Sequence, residues 1–259
     1  MTNNYINSPL DQFIINNLLE INSPFLNLST LNFSTFSLYT LFVVLVISLT
    51  FILSIGGESN NLVKGSNWLI AIEAIFDTIL NMVKGQIGGS VYGRYVPLVY
   101  TLFTFILVAN LIGMVPYNFA LSASLIYIIG ISVSLWIGLT ILGLFLNKAV
   151  FFSLFVPSGT PLPLVPVLVL IELLSYTARA ISLGLRLAAN TLSGHLLMSI
   201  LGNLVKNLMS INYFTFIFGL IPLAGIFAIV ILEFAIACIQ AYVFAILTSS
   251  YLKDSIYLH

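Results

Sequence analysis

ARAISLGLRLAANTLSGHLL, residues 178–197, sets two arginines, an asparagine and a histidine in a stretch otherwise apolar enough for lipid. A charge at the bilayer centre costs about 2.5–3.5 kcal/mol on insertion scales, so such residues are rare and usually mark functional sites. Arg186 is therefore read as the centre of this chain's work. A plainer reading has Arg179 and Arg186 pairing with carboxylates only to hold helices together, and the rarity of charge at depth weighs against it.

The rest of the chain agrees with a lipid setting. Of 259 residues 60% are hydrophobic and only 6% charged, whereas about a quarter of residues are charged in soluble domains. That composition makes a polytopic membrane protein. Eight basic residues balance eight acidic ones, so no basic field recruits nucleic acid. The lone Cys238 excludes a disulfide framework, a CxxC zinc site and an iron–sulfur cluster. The two histidines are His195 and the last residue, His259, which speaks against a haem held by paired histidines. No cofactor or metal is expected. The opening MTNNYINSPLDQF lacks a signal core or an Arg-rich transit pattern, so synthesis in the compartment of insertion, a bacterium or an organelle, is expected.

Hydropathy divides the sequence as follows. Residues 1–35, with Pro9 and Pro24, read as an exposed or surface-lying lead-in. Spans are expected at about 36–55, 95–114, 120–146, 164–206 and 214–252, in one membrane domain over 36–259. Between the first two, WLIAIEAIFDTILNMVK (68–84) repeats Glu73, Asp77, Asn81 and Lys84 at helical spacing, the pattern of an amphipathic helix lying in the interface. A solvated loop helix is the alternative. The link 117–120 between the second and third spans is short enough for an antiparallel hairpin. In FFSLFVPSGTPLPLVP (151–166), Pro157, Pro161, Pro163 and Pro166 forbid a continuous helix. The last two tracts are each about twice the length that spans a bilayer. Lacking a polar turn near the middle, they read as two long, strongly tilted helices packed as a pair, with two spans apiece as the alternative. The fold class is thus all-α: an N-terminal transmembrane helix, an interfacial helix, a transmembrane hairpin and a long slanted pair. Five crossings put Lys64, Lys84, Arg94, Lys148 and Lys253 on one side and Lys206 on the other. The positive-inside rule makes the richer side cytoplasm or matrix.

Along the first long helix Glu172, Arg179, Arg186 and Asn190 fall on one seam, with His195 nearly opposite Arg186 on a straight helix. Ser182, Gly184, Ala188, Ala189, Ser193 and Gly194 accompany the seam, and small residues allow close approach of another helix, in this chain or a partner. Glu233 and Gln240 share a face of the second long helix, and Asp254 continues their spacing. No GxSxG, HExxH or phosphate loop is present. What remains is a sparse string of titratable groups suited to proton relay. Histidine and a desolvated glutamate can exchange protons near neutral pH, whereas arginine stays charged. A fixed cation among movable protons acts as a barrier and as counter-ion to a carboxylate brought to it.

SLGLRLAANTLSGHLL (182–197) resembles the signature of subunit a of F-type ATP synthases, in its fungal mitochondrial form. SPLDQF (8–13), AIFDTILNMVKGQIGG (74–89), FVPSGTPLPLVP (155–166) and EFAIACIQAYVFAILTSSYLKD (233–254) extend the resemblance nearly end to end. It implies a stator packed against a rotating ring of c subunits, with two offset proton half-channels, and with peripheral-stalk and other membrane-sector subunits as neighbours. Arg186 matches the family's essential arginine; His195 and Glu233 match the pair on the proton's way in. Glu172 and Asp254 match acids near the matrix exit, Asn190 and Gln240 polar neighbours of the arginine, and Arg179 a second, less essential arginine. The implied site is the mitochondrial inner membrane, N-terminus toward the intermembrane space and C-terminus toward the matrix. Removal of a short leader, residues 1–7, is a further expectation. The competing class is a secondary transporter with an anion bound at Arg186, which needs a cavity closed by this chain alone and paired repeats that are not seen. A purely structural anchor would need no charge at depth.

Overall fold

The computed structural model describes residues 14–21, 31–56, 67–89, 91–115, 121–156, 162–211 and 213–257. The expected leader, the SPLDQF match, the loop with Lys64, the 117–120 link and His259 lie outside these residues. Six helices dominate, and five of them are long and apolar enough to cross a membrane. The first residues described form an element the hydropathy reading did not contain. Strand β1 (Asn17–Ile21) pairs antiparallel with β2 (Leu31–Ser34), a small departure from the all-α expectation.

Helix α1 runs Thr35–Gly56 and starts on a cap. The Ser37 amide donates to Ser34 Oγ (3.4 Å), so a side chain satisfies one of the first-turn N–H groups that a helix leaves open. The amphipathic helix α2 occupies Asn67–Ile87, longer than 68–84 by one residue before and three after. Its Ile79, Val83 and Ile87 are buried at spacings of four, while Glu73, Asp77, Asn81 and Lys84 are exposed. Helix α3 (Tyr92–Gly113) carries Pro97 in its second turn. A single 3₁₀ turn, Leu121–Ala123, precedes α4 (Leu125–Asn147), so this span begins five residues later than 120. The Ser124 hydroxyl donates back to Leu121 O (2.8 Å), holding that turn out of the helix.

The proline-rich connection contributes 3₁₀ segments at Lys148–Phe155 and Leu162–Leu164. Helix α5 follows, Val165–Ile211, 47 residues with Pro166 in the first turn, where proline is tolerated. Helix α6 is Tyr213–Ile256, 44 residues, continuous through Pro222 and Gly225. Each long tract is therefore one helix, and five of the described helices are long and apolar enough to cross a membrane. At 1.5 Å per residue they measure about 70 and about 66 Å, against a hydrocarbon core of about 30 Å.

The chain forms two compact units. The first comprises Met1–Ser48, Phe105–Ser124 and Ala188–Ile239; the second Leu49–Thr104, Leu125–Leu187 and Gln240–His259. In the first, Val43, Ala109 and Leu121 form a small core ringed by Phe36, Tyr39 and Phe105. The second has the larger core, in which Ile79, Val83, Val99, Leu139, Tyr176 and Leu252 meet. Within each unit α5 and α6 run antiparallel: His195 meets Glu233 in the first, and Tyr176 meets Tyr251 in the second.

Candidate proton-handling sites

In the first unit, His195 on α5 and Glu233 on α6 stand with Nε2 and Oε1 3.8 Å apart, their side chains 12% and 8% exposed. That separation is too long for a hydrogen bond. The approach depends on residue 194 having no side chain. A Cβ on Gly194 would stand 2.7 Å from Glu233 Oε1 and 2.9 Å from its carboxyl carbon. Neither carboxyl oxygen of Glu233 has a hydrogen-bond partner among the described residues. One turn further along α6, the Ala237 carbonyl accepts a 3.4 Å hydrogen bond from Asn110 Nδ2 of α3, a residue only 2% exposed. Hydropathy reading passed over Asn110, though an amide inside the apolar stretch 95–114 is the kind of signal that singled out Arg186. On the α5 side, Thr191 Oγ1 donates to Ser122 O (2.8 Å) and ties the buried 3₁₀ turn to the helix that bears His195.

In the second unit, α5 buries Tyr176, Ala180, Leu183, Gly184 and Leu187. This stripe is centred about 100° around the helix from Arg186. Ser175, Arg179, Ser182 and Arg186 form a polar stripe within the exposed side of α5, which Leu173, Leu174, Ile181 and Leu185 share. The two arginines differ in their surroundings. Arg179 lies 3.9 Å from the Asp254 carboxylate and over the ring of Tyr251 at 5.8 Å. Arg186 has no ion pair among the described residues, and its side chain faces away from its own chain's core. Glu172 and Gln240 are half-buried here, as is Asn190 in the first unit, and Glu172 forms no ion pair with a described residue.

The small residues that accompany the seam divide. Gly184 is used within this chain: a Cβ there would meet Ser132 Oγ at 2.6 Å and the backbone of α4 at 3.2 and 3.3 Å. Gly194 is used by Glu233, and Ala188 is fully buried. Ser182, Ala189 and Ser193 stay exposed. Sequence spacing offered all six to a neighbour because periodicity gives a face without giving what covers it. Among the described residues no cluster of His, Cys, Asp and Glu could hold a metal ion.

The family model described as ATP synthase A chain matches residues 37–253, which include His195, Glu233, Arg179 and Arg186 and stop one residue before Asp254. The chain belongs to the ATP synthase A chain family. It is similar over its whole length to ATP synthase subunit a of Kluyveromyces lactis, 62% identical with both chains fully covered. The same protein of Saccharomyces cerevisiae is 61% identical over all of this chain and 99% of its own. That of Candida albicans is 55% identical over 97% of this chain and 99% of its own. Family membership and five apolar helices make this chain a multi-pass membrane component of an ATP synthase, serving ATP synthesis and proton transport.

Proposed function

We propose that this chain is the stator proton-channel subunit of a mitochondrial ATP synthase, facing a rotating ring of c subunits across the exposed stripe of α5. The observation that carries the reading is Arg186. It is a permanent cation in a membrane-crossing helix, exposed on its own chain's surface and without a carboxylate from the described residues. Leaving a charge so costs too much in lipid unless a neighbour supplies the counter-ion. A ring carboxylate about 4 Å away would be attracted by ~4 kcal/mol at an effective dielectric of about 20, enough to make it give up its proton. An anion site closed by this chain alone would bury the guanidinium in a cavity of its own, which an exposed side chain does not suit.

Protons reach the ring through His195 and Glu233, which face each other at 3.8 Å between α5 and α6. They leave past Glu172, Arg179 and Asp254 toward the matrix, with Asn190 and Gln240 as polar neighbours of Arg186. Arg186 keeps the two half-channels apart because guanidinium does not release its proton. The chain makes and breaks no covalent bond itself; catalysis belongs to other subunits, and peripheral-stalk and membrane-sector partners hold it still. We place it in the mitochondrial inner membrane with the N-terminus toward the intermembrane space.

Arg186→Ala tests this. The variant complex is expected to assemble and to lose proton-driven ATP synthesis in membrane vesicles; normal synthesis per assembled complex overturns the reading. Arg186→Lys is expected to fail as well, because a desolvated ammonium can deprotonate. A ring of small hairpin subunits should co-purify with the chain.

A further inference from the structure

Asp254 and Arg179 are too loosely paired to hold each other. At 3.9 Å the contact is well beyond a charge-assisted hydrogen bond of about 2.7–2.9 Å, and the Arg179 and Asp254 side chains are 41% and 28% exposed. Such pairs contribute little and do not fix a long side chain. A third group is better placed to do so. Tyr251, three residues before Asp254 and on the same face of α6, is 3% exposed and lies under the Arg179 guanidinium at 5.8 Å. That is within the range at which a ring attracts a cation. The ring cannot drift, because Tyr176 of α5 packs edge-on against it at 5.5 Å and 90°. Tyr176 is in turn wedged between Trp136 (5.8 Å) and Phe155 (6.0 Å). The Tyr251 hydroxyl has no hydrogen-bond partner among the described residues, so the ring is the part in use.

We infer that Tyr251 is a positioning residue: its aromatic face, locked by Tyr176, seats Arg179 beside Asp254, so that α6 supplies ring and carboxylate together as one receptacle for the cation. The inference rests on the proposed exit role of Arg179 and Asp254. The cation then stays with Asp254 instead of roaming along the exposed stripe toward other acids.

The test uses whole complexes in membrane vesicles, with synthesis driven by an imposed proton gradient and expressed per assembled complex. Tyr251→Leu keeps apolar bulk and removes the ring; synthesis is expected to fall about five-fold, the size a single cation–ring contact supports. Tyr251→Phe should restore the wild-type rate. In an Arg179→Gln background, Tyr251→Leu should cost nothing further, since there is no cation left to seat. Equal impairment of Leu and Phe variants assigns the role to the hydroxyl and overturns the inference, as does a wild-type rate for Tyr251→Leu. Multiplicative losses in the double variant overturn it too, because they mean that Tyr251 acts through packing alone. If Tyr251→Leu does not assemble, Tyr251→Met, with flexible bulk and no ring, takes its place under the same outcomes. Failure of the parent reading appears separately, as normal synthesis in Arg186→Ala complexes with Tyr251 intact.

Discussion

Arg179 and Arg186 are seven residues apart on one helix, yet one is seated by its own chain and the other is offered outward. Spacing alone placed both on one seam; it could not tell them apart, because Asp254 and Tyr251 come from more than seventy residues downstream. The histidine tells the same story. Its partner Glu233 was legible as a buried acid on the second long helix, but their meeting requires Gly194, and only the packed helices reveal that. Gly194→Ala forces out the tip of a flexible side chain and leaves backbone in place, so the lesion should be functional. The expectation is near-normal assembly with proton uptake slowed, as is also expected of Glu233→Gln, both measured by flux into reconstituted vesicles. His195→Ala is expected to slow conduction without uncoupling it from synthesis. Gly202→Ala is the control, since a Cβ there meets nothing within 4 Å.

At the scale of elements, Gly184 behaves differently from Gly194. Its missing Cβ would meet the backbone of α4 as well as Ser132, so helices and not a side-chain tip must move. Overpacking of this kind costs about 1–3 kcal/mol. Gly184→Ala is expected to lower the yield and melting temperature of the assembled complex, and Ser132→Ala to recover only part of the loss, because the backbone contacts remain. Near the end of α6, Asn147 Nδ2 of α4 donates to Ser255 O (2.8 Å). Removing it in Asn147→Ala should cost about 1 kcal/mol and speed amide exchange in the last turn. The five apolar helices were legible because lipid imposes length and composition on every crossing. The β1–β2 pair was not: LNFS and NLLEI are short, and strand pairing depends on the other segment more than on local preference. The late start of α4 was missed because hydropathy does not distinguish a buried 3₁₀ turn from helix.

For the molecule as a whole, five crossings would put the two termini on opposite sides of the membrane. In sealed organelles stripped of their outer membrane, an epitope placed just after residue 7 should be cut by added protease and one at His259 protected; equal protection of both would remove one crossing. The exposed guanidinium of residue 186 also bears on the life of the chain before assembly. A copy inserted ahead of its neighbours shows lipid a charge it cannot hide, worth about 2.5–3.5 kcal/mol, and a distorted bilayer is a cue that quality-control proteases can act on. Unassembled copies should therefore be cleared fast, and Arg186→Leu should lengthen their half-life in pulse-chase while ruining the finished machine. On the proposed reading, the feature that makes the subunit useful in company would make it perishable alone.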